Sequence, residues 1–376
     1  MKLKITLFGL TLSSSWGNGH ATPYRAILRA LHRMGHQLTF YERDAEYYAC
    51  RRDFAQCDYC RLVLYDSWAN IRRTALAEAA ASDAVITGSY LPEGAVINDD
   101  VLALGQPLRV FYDLDTPVTL AALEQAEYGA VEYLRRDQMP AFDLYLSFTG
   151  GRVLDELETR WGVRLARPLY GCVDPEVHTR VPERVEFRCD LSYMGTYAAD
   201  RQQKVEELFL LPAQRLPDCQ FLLAGPLYPR QWELPANVWR FEHVAPADHP
   251  ALYSSSRATL NITRSGMAAR GGYCPSGRFF EAAACGTPIL TDWFDGLDTF
   301  FVPGEEIFVV RTADDVSAAL RCPQNELQRL ARRARQRTLQ EHTGMQRARQ
   351  LIALLNEARW VQPRESSSQY SVPSTH

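Results

Sequence analysis

Short apolar runs alternate with amphipathic helical stripes along this chain, and the alternation runs through two series. In the first, "KITLFGL" reads as a buried strand. "PYRAILRALHRMGH" follows, with Ile27, Leu28, Leu31 and Met34 at helical spacing and Gly35 placed to stop the helix. "QLTFYERD", "AVITGS", "LRVFYDLD" and "FDLYLSFTGG" read as further strands, and "ANIRRTALAEAA" and "RVLDELETRWG" as helices. Strands separated by helices imply a parallel sheet covered on both faces. Residues 165–190 break the rhythm with three prolines and no periodicity, as a connection between domains would. A second series then runs through "LSYMGTY", "CQFLLAGP", "VWRFEHV", "HPALYSSSRATLNIT", "GRFFEAAACGTPILTD" and "EIFVV". The expected fold class is α/β, two Rossmann-like doubly wound domains in tandem. A single long basic helix from "NELQRLARRARQRTLQEH" to Arg359 closes the folded part, and residues 361–376 read as a disordered Ser/Pro-rich tail.

A length of 376 residues suits two domains of ordinary size. With 46% apolar and 23% charged residues, the composition is that of a globular protein in water. The net charge of −4 gives no polybasic footprint, so nucleic acid is not an expected partner. No apolar run approaches the roughly 20 residues of a membrane span. "MKLKITLFGLTLSSS" resembles a secretory leader but lacks an Ala-x-Ala site and runs on into a helix. It is read as the first strand, with a cytoplasmic location expected. Nine cysteines, an odd number, point to reduced thiols. Cys50, Cys57 and Cys60 lack a fourth ligand at zinc spacing, so no metal is expected.

Four stretches can carry chemistry. Gly17, Asn18 and Gly19 form a polar loop between strand and helix, where unpaired helix N–H groups attract anions. Thr22 stands where a dinucleotide fingerprint needs its third glycine, although Glu42 and Asp44 could still touch a ribose as in a dehydrogenase. His20, at the mouth of the helix, is either a base or an ordinary helix-start residue. Asp113 and Asp115 close a strand at the sheet edge where open α/β folds bind ligands, spaced to point the same way. Gly195 and Thr196 end the strand opening the second series, with Arg201 and Lys204 in the next helix, a set suited to a diphosphate. Finally Glu281 lies in a small-residue helix begun by Ser276, Gly277 and Arg278; its carboxylate can accept two ribose hydroxyls, and the helix start can take a phosphate.

"GRFFEAAACGTPILTDWFDGLDTFFVPGEEIFVV" resembles the nucleotide-sugar-binding segment of GT-B glycosyltransferases, with their E-A-x-A-C-G-x-P pattern. "GLTLSSSWGNGHATPYRAIL", "VFYDLDTPVTL", "LSYMGTYAADRQ" and "SSSRATLNITRSGM" extend the likeness toward CgeB-like glycosyltransferases, a bacterial branch named for a spore maturation protein. The resemblance implies an acceptor domain over residues 1–170, a linker over 171–190 and a donor domain over 191–343. A final helix at about 344–360 would cross back to the first domain. It places Glu281 on the ribose and Ser276, Gly277, Arg278, Gly195, Thr196, Arg201 and Lys204 around the diphosphate, with Asn261 and Arg264 nearby. No metal or cofactor is implied; a UDP- or dTDP-sugar would be the donor, and the acceptor a small molecule, glycan or protein. Related retaining families carry a second glutamate eight positions before the ribose ligand, where this chain has Tyr273. That departure favours an inverting reaction, with His20 as base and Asp113 as its rival or partner. A GT-B-fold nucleotide-sugar epimerase and a non-catalytic sugar-nucleotide-binding protein of spore or envelope assembly are the alternatives.

Overall fold

The computed structural model describes residues 2–17, 19–54, 56–229 and 231–361; Asn18 and the 362–376 part of the tail lie outside them. Seven strands build the first sheet: β1 (Lys4–Gly9), β2 (Gln37–Arg43), β3 (Arg61–Tyr65), β4 (Ala84–Gly88), β5 (Leu108–Asp113), β6 (Leu144–Ser147) and β7 (Ala166–Pro168). Their order is β3-β2-β1-β4-β5-β6-β7, parallel throughout. Six strands build the second: β8 (Cys189–Met194), β9 (Phe221–Ala224), β10 (Val238–Phe241), β11 (Ser256–Asn261), β12 (Ile289–Thr291) and β13 (Phe308–Val309). Their order is β10-β9-β8-β11-β12-β13, again parallel. Each sheet is buried on both faces, which is why its strands are continuous apolar runs such as Phe221–Ala224.

Both sheets reverse strand order beside their first strand, between β1 and β4 and between β8 and β11. Adjacent strand ends there send their connections to opposite faces and leave a crevice at the carboxyl edge. The residues just past those ends, Leu10 and Tyr90 in one domain and Gly195 and Thr263 in the other, line one interdomain cleft.

Two sequence expectations change here. The proline-containing stretch beginning at Leu165 is not all linker, because Ala166–Pro168 is the seventh strand of the first sheet. The single closing helix is two, Gln324–Glu341 and Gly344–Trp360. Thr343 separates them: its hydroxyl accepts from the Gln346 N–H, an N-cap that starts a new helix. At that break the chain crosses between domains beside its own outward crossing. The Val173 N–H donates to the His342 carbonyl and the Gly344 N–H to the Val173 carbonyl. The last helix then puts Ala348, Leu351, Leu355 and Ala358 into the core formed by Leu3, Ile27 and Leu31. Among the described residues no helix is long and apolar enough to cross a membrane.

Candidate active site

The cleft holds about 1530 Å³. Its first wall is the loop after β1. That loop is held from below by Glu42, a fully buried carboxylate at the end of β2. Glu42 accepts from the Leu12 and Ser13 N–H groups at 2.7 and 2.9 Å and from the Thr11 and Ser13 hydroxyls. Asp53 accepts from Ser15 and from Arg25. Glu42 is therefore committed to shaping the loop and is not offered to a ribose, and Asp44 is ion-paired with Arg52.

His20 is the N-cap residue of the helix Ala21–Arg33, with a helical backbone and no side-chain cap bond. Its Nε2 lies 3.2 Å from Asp115 Oδ2, and its ring meets the edge of Tyr90 at a 5.6 Å centroid distance. A carboxylate can only accept, so Nε2 carries the proton of this contact. Nδ1 is shielded from solvent. Asp115 belongs to the cleft wall and is about one-fifth exposed.

Asp113 does not join it. It is fully buried at the end of β5: Oδ1 accepts from Thr119 Oγ1 and the Asp115 N–H, and Oδ2 from the Tyr145 hydroxyl at 2.6 Å. Burial lifts its pKa to about 6, against three hydrogen bonds that favour the charge. Period-two spacing failed because the strand ends at Asp113, and Asp115 already has the backbone of a helix start. Asp113 holds the Asp115 backbone N–H from behind the wall and does not line the cleft.

The opposite wall comes from the second domain. Gly195, Thr196, Arg201, Arg264, Ser276, Gly277, Arg278 and Glu281 all line the cleft, as do Gly17, Gly19 and His20 across from them. Arg201 is 5% exposed and hydrogen-bonds the Thr196 carbonyl, and burial lowers its pKa. Among the described residues neither Arg201 nor Arg278 has a carboxylate partner, whereas Arg264 pairs with Asp200 at 3.2 Å. A guanidinium buried without an anion is unfavourable by several kcal/mol. A negatively charged ligand at this wall would offset that cost.

Two expected members stand elsewhere. Lys204 turns to Asp292 in an ion pair outside the cleft lining. Asn261 is also behind the wall: its amide oxygen accepts from the Ser276 hydroxyl at 2.7 Å and its amide nitrogen donates to Thr291. Asn261 thus sets the start of the helix Gly277–Ala284. Gly225 forms part of the floor at φ +146°, where an added Cβ would lie 2.1 Å from the Gly195 carbonyl oxygen.

Glu281 is 3% exposed. Burial opposes its ionisation, while any positive charge held at His178, His249 or Arg278 favours it, so its pKa is lowered. His249 Nδ1 stands 3.3 Å and His178 Nε2 3.9 Å from its Oε2. Sequence reading missed both histidines. His178 lies in the irregular connection and His249 at the start of the His249–Ser255 helix, and nothing in the local pattern links either to residue 281. Tyr90 was missed too, although a bulky residue just past a strand next to the order reversal is a usable signal; its φ of +59° is strained for a tyrosine. Tyr273, which stands where the retaining families of the resemblance carry a glutamate, packs against Gly151 and Gly296, and its carbonyl accepts from the Gly150 N–H, outside the cleft lining.

Residues 201–353 match a family model described as "Glycosyl transferase-like". No curated protein matches the sequence. Among solved structures, sucrose-phosphate synthase from Thermosynechococcus elongatus superposes with a TM-score of 0.66 at 14% identity, over 95% of this chain and 99% of that one. HepE from Anabaena in complex with UDP-glucose gives 0.63 at 11% identity, over 94% and 100% of the two chains. An α-glucosyltransferase in complex with UDP gives 0.66 at 11%, over 94% and 100%. At this identity the likeness fixes the architecture: two Rossmann-like domains about a cleft, the GT-B fold.

Proposed function

We propose that the chain is a glycosyltransferase that moves a sugar from a nucleoside-diphosphate sugar to an acceptor hydroxyl, with inversion at the anomeric carbon. The observation that carries this reading is the pairing, across one cleft, of two guanidinium groups without a carboxylate partner among the described residues and a proton-accepting dyad. The donor diphosphate lies between Arg201, Arg278 and the start of the Gly277–Ala284 helix, and Arg264 and Thr196 complete its surroundings. These cations stabilise the charge that develops on the leaving diphosphate, a task that needs no metal there. Glu281 receives the ribose hydroxyls through its second carboxylate oxygen. The UDP-glucose and UDP complexes of the similar folds support a UDP-sugar, with a dTDP-sugar as the second choice.

On the acceptor side the dyad of His20 and Asp115 takes the hydroxyl proton. As the acceptor oxygen forms its bond to the anomeric carbon, the bond from that carbon to the diphosphate oxygen breaks. In the ring orientation observed, His20 donates from Nε2, so the Asp115 carboxylate is the proton sink and His20 holds it in place. The likeness to the CgeB-like branch and a cytoplasmic site of action belong to this proposal as well.

The test is incubation of the protein with a panel of UDP- and dTDP-sugars and candidate acceptors, with the product anomer read by NMR. A glycoside of inverted configuration is expected. Retention would overturn the inverting assignment. Isomerised donor formed without acceptor would make the chain an epimerase, and donor binding with neither transfer nor hydrolysis would make it a binding protein.

A further inference from the structure

Beneath the ribose end of the cleft lies an unusual trio. His178, His249 and Glu281 each offer one ligand atom, all within 4.8 Å of one another. The surroundings fix more than the spacing. His249 Nε2 lies 3.2 Å from the Val244 carbonyl oxygen, and a carbonyl accepts only, so Nε2 carries the ring proton. In the neutral ring Nδ1 then presents a lone pair, and it presents it to Glu281 Oε2 at 3.3 Å. Two lone pairs facing each other at that distance repel unless a positive centre sits between them. Among the described residues neither ring nitrogen of His178, a side chain 4% exposed, has a hydrogen-bond partner, and neither does Glu281 Oε2. Buried polar atoms are almost always paired, so this many orphans in one place point to something that pairs them.

We propose that His178, His249 and Glu281 form a site for a divalent transition metal of the zinc type. Two imidazoles and a carboxylate are the ligand set of an open zinc site, and a ligating histidine whose other nitrogen donates to a backbone carbonyl is its usual support. Ligands at about 2.1 Å from a tetrahedral zinc stand roughly 3.4 Å apart. The His249–Glu281 distance already has that value; His178, 3.9 Å from Glu281 and with all three ligand atoms within 4.8 Å of one another, must swing inward to complete the set. His249 and Glu281 line the cleft while His178 does not, so the fourth position faces the cleft, where one hydroxyl of a ribose could complete it. The metal sits at the ribose and not at the diphosphate, which the arginines serve. Metal binding is read without nucleotide, so its outcome is separate from that of the transferase assignment.

The probe is cobalt(II) added to the chelator-stripped full chain. One equivalent is expected to give the visible absorption of a four-coordinate site, bleached by zinc. His178→Leu and His249→Leu should each weaken binding by at least about 100-fold, a first ligand counting for more than the 10–100-fold of an outer partner. Cys57→Ser with Cys60→Ser should leave it unchanged. X-ray absorption at the zinc edge of the unmutated, zinc-loaded protein keeps the test valid if a variant fails to fold: two imidazoles and no sulfur are expected. Absence of stoichiometric binding would overturn the proposal, and sulfur in the shell would move the metal to the cysteines.

Discussion

Asp113 and Asp115 stand two residues apart and differ in everything that decides chemistry. One has both oxygens occupied in the core; the other faces the cleft against His20. Asp115→Asn is expected to lower turnover by about 10²–10⁴-fold. Donor affinity by calorimetry should be preserved, and a variant with full turnover would remove the dyad from the mechanism. On the other wall Arg278 makes no ion pair among the described residues and only favours the Glu281 charge from a distance, so its loss should disturb folding little. Arg278→Gln is expected to weaken UDP binding by roughly 10–100-fold, the value of one charged hydrogen bond. Uridine, which lacks the diphosphate, should bind the variant and the parent alike; an equal loss for both ligands would place Arg278 elsewhere than on the phosphates.

At the scale of elements, strands and helices were legible where burial imposes a period. The apolar run Ala84–Gly88 and the striped helix Ala21–Arg33 declared themselves. β3, Arg61–Tyr65, did not, because an edge strand with two of five residues exposed and only Tyr65 buried carries no continuous apolar signal. The candidate site divides in the same way. Glu281, Arg201 and Ser276 lie beside helix starts and strand ends, which local pattern reveals. His178 reaches Glu281 from more than a hundred residues away, a meeting only the packed fold creates. The split of the closing helix was hidden for a related reason, since polar residues continue across it and only the Thr343 cap and the tight approach of Gly344 mark it. A Cβ on Gly344 would lie 2.4 Å from the Ala26 carbonyl oxygen, so this glycine lets the final helix lie against the helix Ala21–Arg33. Gly344→Ala is expected to destabilise the chain by about 1–3 kcal/mol, the range of overpacked contacts. Denaturant titration measures it, and an unchanged midpoint would show that the two helices can part without loss.

For the whole molecule, protons bind differently before and after folding, and two buried groups pull in opposite directions. His342, packed on Phe280 and accepting from Arg347 through Nδ1, has its pKa lowered to about 3 by burial and by that guanidinium. The unfolded chain, with an ordinary histidine near 6.5, takes the proton first, so stability falls as pH drops from about 6.5 toward 3. His36, His178 and His243, all lowered by burial, add to this loss. Asp113 opposes it: raised to about 6 from 3.8, it holds a proton in the folded chain that the unfolded chain has lost, so its contribution grows as pH falls between those values. The histidines are more numerous and His342 is displaced further, so the net result is acid destabilisation between pH 6.5 and 4. Carboxylates lowered by arginine partners, such as Asp99 and Asp100, add their losses only below about pH 4. Denaturation midpoints at pH 7, 5.5 and 4 should therefore fall in that order. Asp113→Asn should steepen the fall by removing the opposing group, and His342→Gln should flatten it. A steeper fall in the His342 variant would mean that its imidazole is already protonated in the folded chain.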